Sequence, residues 1–248
     1  FSSKVSMSTI KECVNAKYRW GFSATPEKSS DVVHNHKLYG LFGPIVCDVS
    51  TLELTRKQIL SEAFIRFIKI TKPTNIWHLD FSSVENIGII ENEHLHRVTA
   101  HIVNNQIKSG RILILVKRLQ HGDRLKEHIP QALWVSGEDS GELRQQALDL
   151  LRSVPEEQTD RKVVVILSSI GNVGIDVLPH VLINCSGGTA ENLTIQKVGR
   201  GLRKGKDKHK LTYLDFLHET NWYLQKHSES RCSTLIDEGH LEIEIDNQ

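Results

Sequence analysis

Residues 161–184 read RKVVVILSSIGNVGIDVLPHVLIN, and the two apolar runs of this stretch, 161–167 and 180–184, decide the fold class. Both runs are short and apolar, and the first is rich in β-branched residues, which is typical of strands buried on both faces of a parallel sheet. Two more runs and three helical patterns alternate with them: strands at 111–116 and 211–216, helices at 119–128, 140–153 and 192–203. This alternation predicts an open α/β sheet with flanking helices.

The composition is that of a globular protein and excludes several other classes. The chain has 248 residues, of which 39% are hydrophobic, and a formal net charge of +1. Its four cysteines lack CxxC spacing, which argues against a zinc site and against a disulfide framework. No apolar run approaches the ~20 residues of a membrane span, and no signal peptide is evident. We therefore expect a reducing cytoplasmic or nuclear location and no membrane partner.

The stretch 196–203, QKVGRGLR, is the most informative about chemistry. Arg200 and Arg203 are three residues apart, so on a helix they project from one face, while apolar residues supply the buried side. Guanidinium groups donate to phosphate oxygens in a planar, bidentate manner, which predicts that the pair binds phosphate. Basic residues continue to Lys210 and indicate a localised anionic partner, although the part from Lys204 onwards also fits a solvated loop.

The loop 168–179, SSIGNVGIDVLP, follows a predicted strand and carries polar groups suited to a ligand. Gly174 permits close backbone approach, Asp176 is suited to hold a sugar hydroxyl, and Ser168 to donate to a phosphate. A plain turn between a strand and a helix is the alternative interpretation.

A second polar turn, SATP at 23–26, follows a strand predicted at 18–23. Ligands bind at the carboxyl ends of strands in α/β sheets, and the hydroxyls of Ser23 and Thr25 are suited to relay hydrogen bonds between two sites.

In their order and spacing these elements resemble the conserved motifs of superfamily 2 helicases. The matching segments are SATP for motif III, 111–125 for motif IV with 134–138 after it, 163–179 for motif V, and QKVGRGLR for motif VI. YGLFGPIV at 39–46 is similar to the XPB-like and phage UvsW-like branch. The resemblance implies two RecA-like domains that bind ATP between them while nucleic acid crosses both.

The resemblance also implies a role for each matching residue. The roles are catalysis by Arg200 and Arg203; ATP binding by Gly174, Asp176 and Gln196; coupling of hydrolysis to domain movement by Ser23 and Thr25; and nucleic-acid binding by Ser168, Lys117 and Arg118.

The same resemblance divides the chain into four parts. These are 1–45, the C-terminal remnant of a first, ATP-binding RecA-like domain; 46–85, a connecting segment with a possible strand at 65–70; 86–230, the second RecA-like domain; and 231–248, a tail.

The phosphate-binding loop G-x-x-x-x-G-K-[ST] is not found, and DEGH at 237–240 lies after motif VI, where we interpret it as solvated tail. We expect the Mg²⁺ ligands upstream of Phe1, so the fragment alone should not hydrolyse ATP.

The expected parent is an ATP-dependent DNA helicase or translocase that remodels duplex or branched DNA in recombination or repair. Its implied cofactors are ATP and Mg²⁺, and DNA is favoured over RNA as its partner. An RNA helicase, the motor part of a restriction endonuclease and a non-enzymatic binding module remain as alternatives.

Histidines and tryptophans allow two further interpretations. His34-x-His36 and His94-x-His96 have spacings that could share a metal, but no cysteine or carboxylate cluster accompanies them, which predicts surface histidines and no metal site. Trp77, Trp134 and Trp222 could stack on bases, but burial in the core or an interface is the prediction for all three.

Overall fold

The chain divides into two compact units, Phe1–Val49 and Ser50–Gln248. The computed structural model describes residues 4–23, 32–152, 161–168, 177–188, 197–199, 201–205, 208, 210–239 and 243–246. Five predicted site residues lie outside these ranges: Thr25, Gly174, Asp176, Gln196 and Arg200.

The described residues of the first unit form two helices, α1 (Lys4–Glu12) and α2 (Val32–Phe42). Its described residues contain no strand, so the strand predicted at 18–23 is wrong. A strand is stable only when a neighbour pairs its backbone and its apolar side chains are covered. Here Phe22 is 83% exposed and Trp20 68% exposed. The assignment of this unit to a first RecA-like domain stays a prediction.

The second unit alternates strands and helices as the sequence predicts. Its helices are α3 (Thr51–Arg56), α4 (Phe81–Glu85), α5 (Glu93–His101), α6 (Leu119–His128), α7 (Gly141–Arg152) and α8 (Trp222–Asp237), with π-helical turns at Asn86–Ile90 and Ile102–Gln106. Its strands are β1 (Glu62–Ile70), β2 (Gly110–Leu115), β3 (Leu133–Val135), β4 (Lys162–Leu167), β5 (Val181–Asn184), β6 (Lys210–His218) and β7 (Ile243–Asp246). None of the described helices is both long and apolar enough to cross a membrane.

The seven strands form one sheet in the order β3-β4-β2-β5-β6-β1-β7. Every pair in this sheet is parallel. Because all strands point the same way, their carboxyl ends share one edge of the sheet and their amino ends share the other. The predicted α/β fold with a parallel sheet and flanking helices is confirmed.

Two strands of the sheet come from segments that the sequence assigned to a connection and a tail. β1 pairs with β6 along nine residues, from Glu62 with Lys210 to Ile70 with His218. β7 pairs with β1 from Ile65 with Ile243 to Ile68 with Asp246. The compact unit therefore begins at Ser50, earlier than the predicted boundary at residue 86, and includes residues of the predicted tail.

Alternate residues of the central strands enter two apolar clusters, which explains their continuous apolar sequences. One cluster contains Ile68, Ile112 and Ile114, together with residues of α5 and α6. The other contains Phe67 and Leu113, together with residues of α7. The sheet thus has a buried face on either side, and its functional groups can be presented only at the strand ends.

Candidate nucleotide and nucleic-acid site

Three predicted nucleic-acid-binding residues lie at the carboxyl edge of the sheet. Lys117 and Arg118 follow β2, and Ser168 follows β4. β2 and β4 are neighbouring strands, and their pairing extends to Leu115 opposite Leu167. The structure therefore places the three residues at neighbouring strand ends, and their role in binding nucleic acid stays a prediction.

Glu85 is the carboxylate partner of the basic pair. Its Oε1 accepts from Lys117 Nζ at 2.5 Å and its Oε2 lies 3.4 Å from Arg118 Nη2. Burial raises the pKa of Glu85, but the hydrogen bonds and charges of the two cations outweigh burial, so its pKa is lowered overall. The side chains of Lys117 and Arg118 remain 46% and 58% exposed. One negative charge thus offsets part of a basic surface that is still open to an anion.

Ser168 is less accessible than the basic pair. Its amide donates to the Val135 carbonyl at 3.2 Å. The residue is only 3% exposed. Its contact with a nucleic-acid backbone stays a prediction.

Arg203 lies at the opposite, amino edge of the sheet, where a turn is held to the start of β1. The Leu202 carbonyl accepts from the Ser61 amide at 2.7 Å, and Leu60 forms an antiparallel bridge with Arg203. Lys208 is fully buried and donates through Nζ to the carbonyls of Gly201 and Arg203, the latter at 3.0 Å. The backbone on both sides of Arg203 is thereby fixed, while the residue itself is exposed.

The apolar side of the motif VI segment is packed as the sequence predicts. Residues 197–199 and 201 are helical, and Val198 and Leu202 are each 1% exposed. Gly201 faces β6 so closely that a Cβ would lie 2.5 Å from Leu211 Cδ2. A side chain at this position would require either Leu211 or the motif VI segment to shift.

The described fold agrees with solved structures although sequence comparison finds no relatives. No protein-family model and no curated protein matches the chain. UvsW of phage T4 matches with a TM-score of 0.59 and 19% identity over 86% of this chain and 45% of that one. An HsdR subunit fragment of a type I restriction enzyme from Vibrio vulnificus matches with a TM-score of 0.65 and 15% identity over 90% of this chain and 42% of that one. Yeast Dbp5 bound to RNA and ADP BeF3 matches with a TM-score of 0.53 and 17% identity over 91% of this chain and 50% of that one.

The chain has a RecA-like fold, similar to that of T4 UvsW and of the C-terminal domain of Dbp5. The family resemblance predicted from the motifs is confirmed at the level of fold. The chain spans about half the length of the three solved structures, between 42% and 50%.

A buried polar network, which the sequence analysis missed, supports motif VI in this RecA-like domain. Lys197 Nζ donates to Asn184 Oδ1 at 3.0 Å and to Ser186 Oγ at 2.6 Å. Asn184 donates to Asp215 Oδ2 at 2.8 Å, and Arg231 donates to both oxygens of Asp215 at 3.0 and 2.8 Å. The network links the start of motif VI through β5 and β6 to α8. A charged residue inside the apolar run 211–216 was the available sequence signal.

Burial also shows that the basic run from 197 to 210 is not one binding surface. Lys197 is 5% exposed and Lys208 0%, and both donate to groups inside the RecA-like domain. The interpretation of residues 204–210 as a solvated loop is therefore wrong for Lys208. Arg203, Lys204 and Lys210 are exposed. Fewer charges of this run face solvent than the sequence indicates.

The predicted site residues fall into separate groups in the structure. Ser168, Lys117 and Arg118 share the carboxyl edge, and Arg203 lies at the amino edge. Ser23 belongs to the first unit, where it is exposed. The structure thus separates the predicted phosphate-binding arginine from the predicted nucleic-acid residues by the length of the strands.

Two tryptophans predicted to be buried are exposed instead. Trp77 is 46% exposed and Trp222 47%. Both follow strands at the carboxyl edge of the RecA-like domain, after β1 and β6, and Trp222 stacks on Tyr223 with ring centroids 3.6 Å apart. Trp134 packs against the core as predicted, and its indole donates to Asp123 at 2.9 Å.

Proposed function

We propose that the chain is the C-terminal motor part of an ATP-dependent DNA helicase or translocase that remodels duplex or branched DNA in recombination or repair. The observation that carries the proposal is the Arg203 turn. An exposed arginine in the motif VI pattern is held by Ser61, by buried Lys208 and by packing of Gly201 on β6. The fixed backbone holds the start of the Arg203 side chain at a defined place at the amino edge of the sheet.

In the proposed mechanism Arg203 acts with Arg200 on the γ-phosphate of ATP. ATP supplies the phosphoryl group whose transfer to water drives movement. Charge develops on that group during transfer, and a guanidinium that meets it only when two domains close stabilises the transition state more than the bound substrate. Gly174, Asp176 and Gln196 are proposed to bind the nucleotide, and Ser23 and Thr25 to couple hydrolysis to domain movement. No Mg²⁺ ligand is assigned to this chain.

The carboxyl edge is the proposed track for nucleic acid. Lys117 and Arg118 supply exposed positive charge for backbone phosphates, with Ser168 beside them. Such contacts position the chain without reading sequence and weaken with salt. Exposed Trp77 and Trp222 at the same edge offer aromatic faces for unpaired bases. We favour DNA as the partner because of the motif VI form and the segment at 39–46.

Steady-state ATP hydrolysis by the full-length parent at saturating DNA tests the role of Arg203. Arg203→Ala should lower turnover by about 10³-fold or more, with a smaller change in nucleotide affinity. Arg203→Lys should rescue only in part, because an ammonium cannot reproduce the planar guanidinium. Lys204→Ala, an exposed basic neighbour, is the matched control and should leave turnover unchanged.

The same assay separates the alternative functions. Stimulation by RNA in place of DNA would replace the DNA proposal with an RNA helicase. The similarity to an HsdR subunit favours a second candidate, the motor part of a restriction endonuclease. Translocation on duplex DNA without strand separation, in a protein that also cleaves DNA, would select that candidate.

A further inference from the structure

Two helices of the second unit bring together three side chains with metal-binding atoms. Glu93 and His96 are one turn apart on α5, and His128 is the last residue of α6, which packs against α5. One ligand atom from each of the three lies within 4.8 Å of the others. Local sequence patterns offer little indication of this group, because His128 is 32 residues from His96 along the chain.

His96 is the unusual member of this group, which we call the α5–α6 cluster. It is 1% exposed, so the prediction of a surface histidine is wrong at this position. Neither of its ring nitrogens has a hydrogen-bond partner among the described residues. The Ile90 carbonyl is close enough to affect its pKa, but not placed to form a hydrogen bond of good geometry. Buried polar atoms are nearly always partnered, so a buried imidazole of this kind calls for a partner such as a water molecule or a metal ion.

Two members of the cluster, His96 and Glu93, are in the protonation states that bind metals. Burial, and after it the charge of His128, lower the pKa of His96 to about 4, which leaves the imidazole neutral at pH 7. Burial raises the pKa of Glu93, but Arg97 and His128 lower it by more, which favours the carboxylate. Metals bind the neutral imidazole and the ionised carboxylate.

We propose that Glu93, His96 and His128 bind one Zn²⁺ ion between α5 and α6. Two imidazoles and a carboxylate form a known ligand set for this ion, with a fourth position left for water. The site is independent of the proposed ATP and nucleic-acid sites.

The geometry leaves room for the small movement that binding requires. Zinc–ligand distances of about 2.0–2.2 Å place tetrahedral ligand atoms roughly 3.4 Å apart. His128 Nε2 and Glu93 Oε2 are already 3.1 Å apart. Their side chains are 25% and 54% exposed, so both can adjust towards His96. Arg97 holds the other oxygen of Glu93 at 2.9 Å, which leaves Oε2 as a single zinc ligand.

A bound ion would join the start of α5 to the end of α6. The other end of α6 begins next to Arg118, which is its N-cap residue. The ion would thus fix the C-terminal end of α6, and the N-terminal end of the same helix follows the basic pair Lys117 and Arg118.

Isothermal titration of the tag-free, EDTA-treated chain with ZnCl₂ tests the proposal. We expect one Zn²⁺ per chain, a higher Tm with Zn²⁺, and no comparable binding of Mg²⁺ or Ca²⁺. His128→Ala and Glu93→Gln should each weaken binding by at least ~10–100-fold, since changes outside the ligand shell alone cost that much. His101→Ala, an exposed histidine on the same helix, should bind like the parent.

His96→Leu keeps the test valid if polar replacements at the buried position unfold the chain. This variant should melt at least as high as the parent in EDTA, because an apolar side chain needs no partner there, and should lose the rise in Tm with Zn²⁺. The proposal is overturned if the parent does not bind Zn²⁺, or if His128→Ala and Glu93→Gln bind it as the parent does.

Discussion

The two edges of the sheet use basic residues in opposite ways. At the carboxyl edge Lys117 and Arg118 share one carboxylate, Glu85, and are about half exposed. At the amino edge Lys208 is 0% exposed and bonds to backbone carbonyls. Its neighbour Arg203 is exposed.

This contrast shows that a basic residue in a motif can serve either the fold or a ligand. Buried lysines are costly unless they are hydrogen-bonded, so Lys208 and Lys197 are retained for the groups they contact. Lys117 and Arg118 keep about half of their side chains exposed to solvent while they pair with Glu85. We therefore expect large stability losses from the buried cations and functional losses from the exposed ones.

The largest effect on stability should come from Arg231→Met. This change leaves the fully buried Asp215 without its charged partner and should cost about 3–5 kcal/mol of unfolding free energy. Lys226→Met, an exposed lysine on the same helix, should cost less than about 0.5 kcal/mol. Urea unfolding measures both, and equal losses would remove the distinction between buried and exposed cations.

Lys208→Met should have the next largest effect. The carbonyls of Gly201 and Arg203 lose a charged donor, which should cost about 1.5–3 kcal/mol. Lys210→Met is the matched control, because Lys210 is 75% exposed and lies 3.7 Å from Glu62. If Lys208→Met unfolds at the same urea concentration as the control, the amino-edge turn is not held as we describe.

The pH dependence of stability gives a third, smaller test at the buried end of β6. Burial, and after it the charge of Arg231, lower the pKa of His218 to about 3, from 6.5 in the unfolded chain. The unfolded state therefore binds the proton first as pH falls. The neutral His218 contributes stability above about pH 6.5, and on the order of 2 kcal/mol of it is lost by about pH 5.

His218→Leu removes this titration and should flatten the pH dependence by that amount. Thermal melts of parent and variant between about pH 7 and pH 5 measure the difference. Parallel pH profiles would show that His218 is not the neutral buried group described here.

The smallest effect on stability, with a clear effect on binding, is expected for Glu85→Gln. The change removes the negative charge that two exposed cations share at the carboxyl edge, while the amide that replaces the buried carboxylate still accepts a hydrogen bond. DNA binding should tighten at low salt, and its salt dependence should steepen by roughly one phosphate contact. Glu91→Gln, an exposed glutamate nearby, serves as control, and an unchanged salt slope for Glu85→Gln would exclude the basic pair from the DNA track.

The sequence predicted the regular parts of the fold well and its edges poorly. β2, β4, β5 and β6 were evident because each is a continuous apolar run. β1 was predicted in part, as a strand at 65–70 inside the connecting segment, but its place within the sheet was not, because it pairs with β6 more than 130 residues later in the chain. The strand predicted at 18–23 failed because its apolar residues have nothing to cover them.

Site residues can be proposed from the sequence where a motif records them, and not where distant segments meet. Arg203, Lys117 and Ser168 came from local patterns. The pairing of Glu85 with Lys117, and of Asp215 with Arg231, depends on the packing of segments far apart in the chain. Lys208 was misjudged because a lysine near other charges usually indicates solvent, whereas here three-dimensional packing supplies backbone carbonyls.

The most direct test measures ATP turnover and DNA affinity together on variants of the two edges, in the full-length parent. Arg203→Ala should lose about 10³-fold or more in turnover while DNA affinity stays nearly unchanged. The double variant Lys117→Ala, Arg118→Ala should lose DNA affinity and regain near-parental turnover at saturating DNA. A folded Arg203→Ala variant that keeps parental DNA-stimulated turnover would contradict the account.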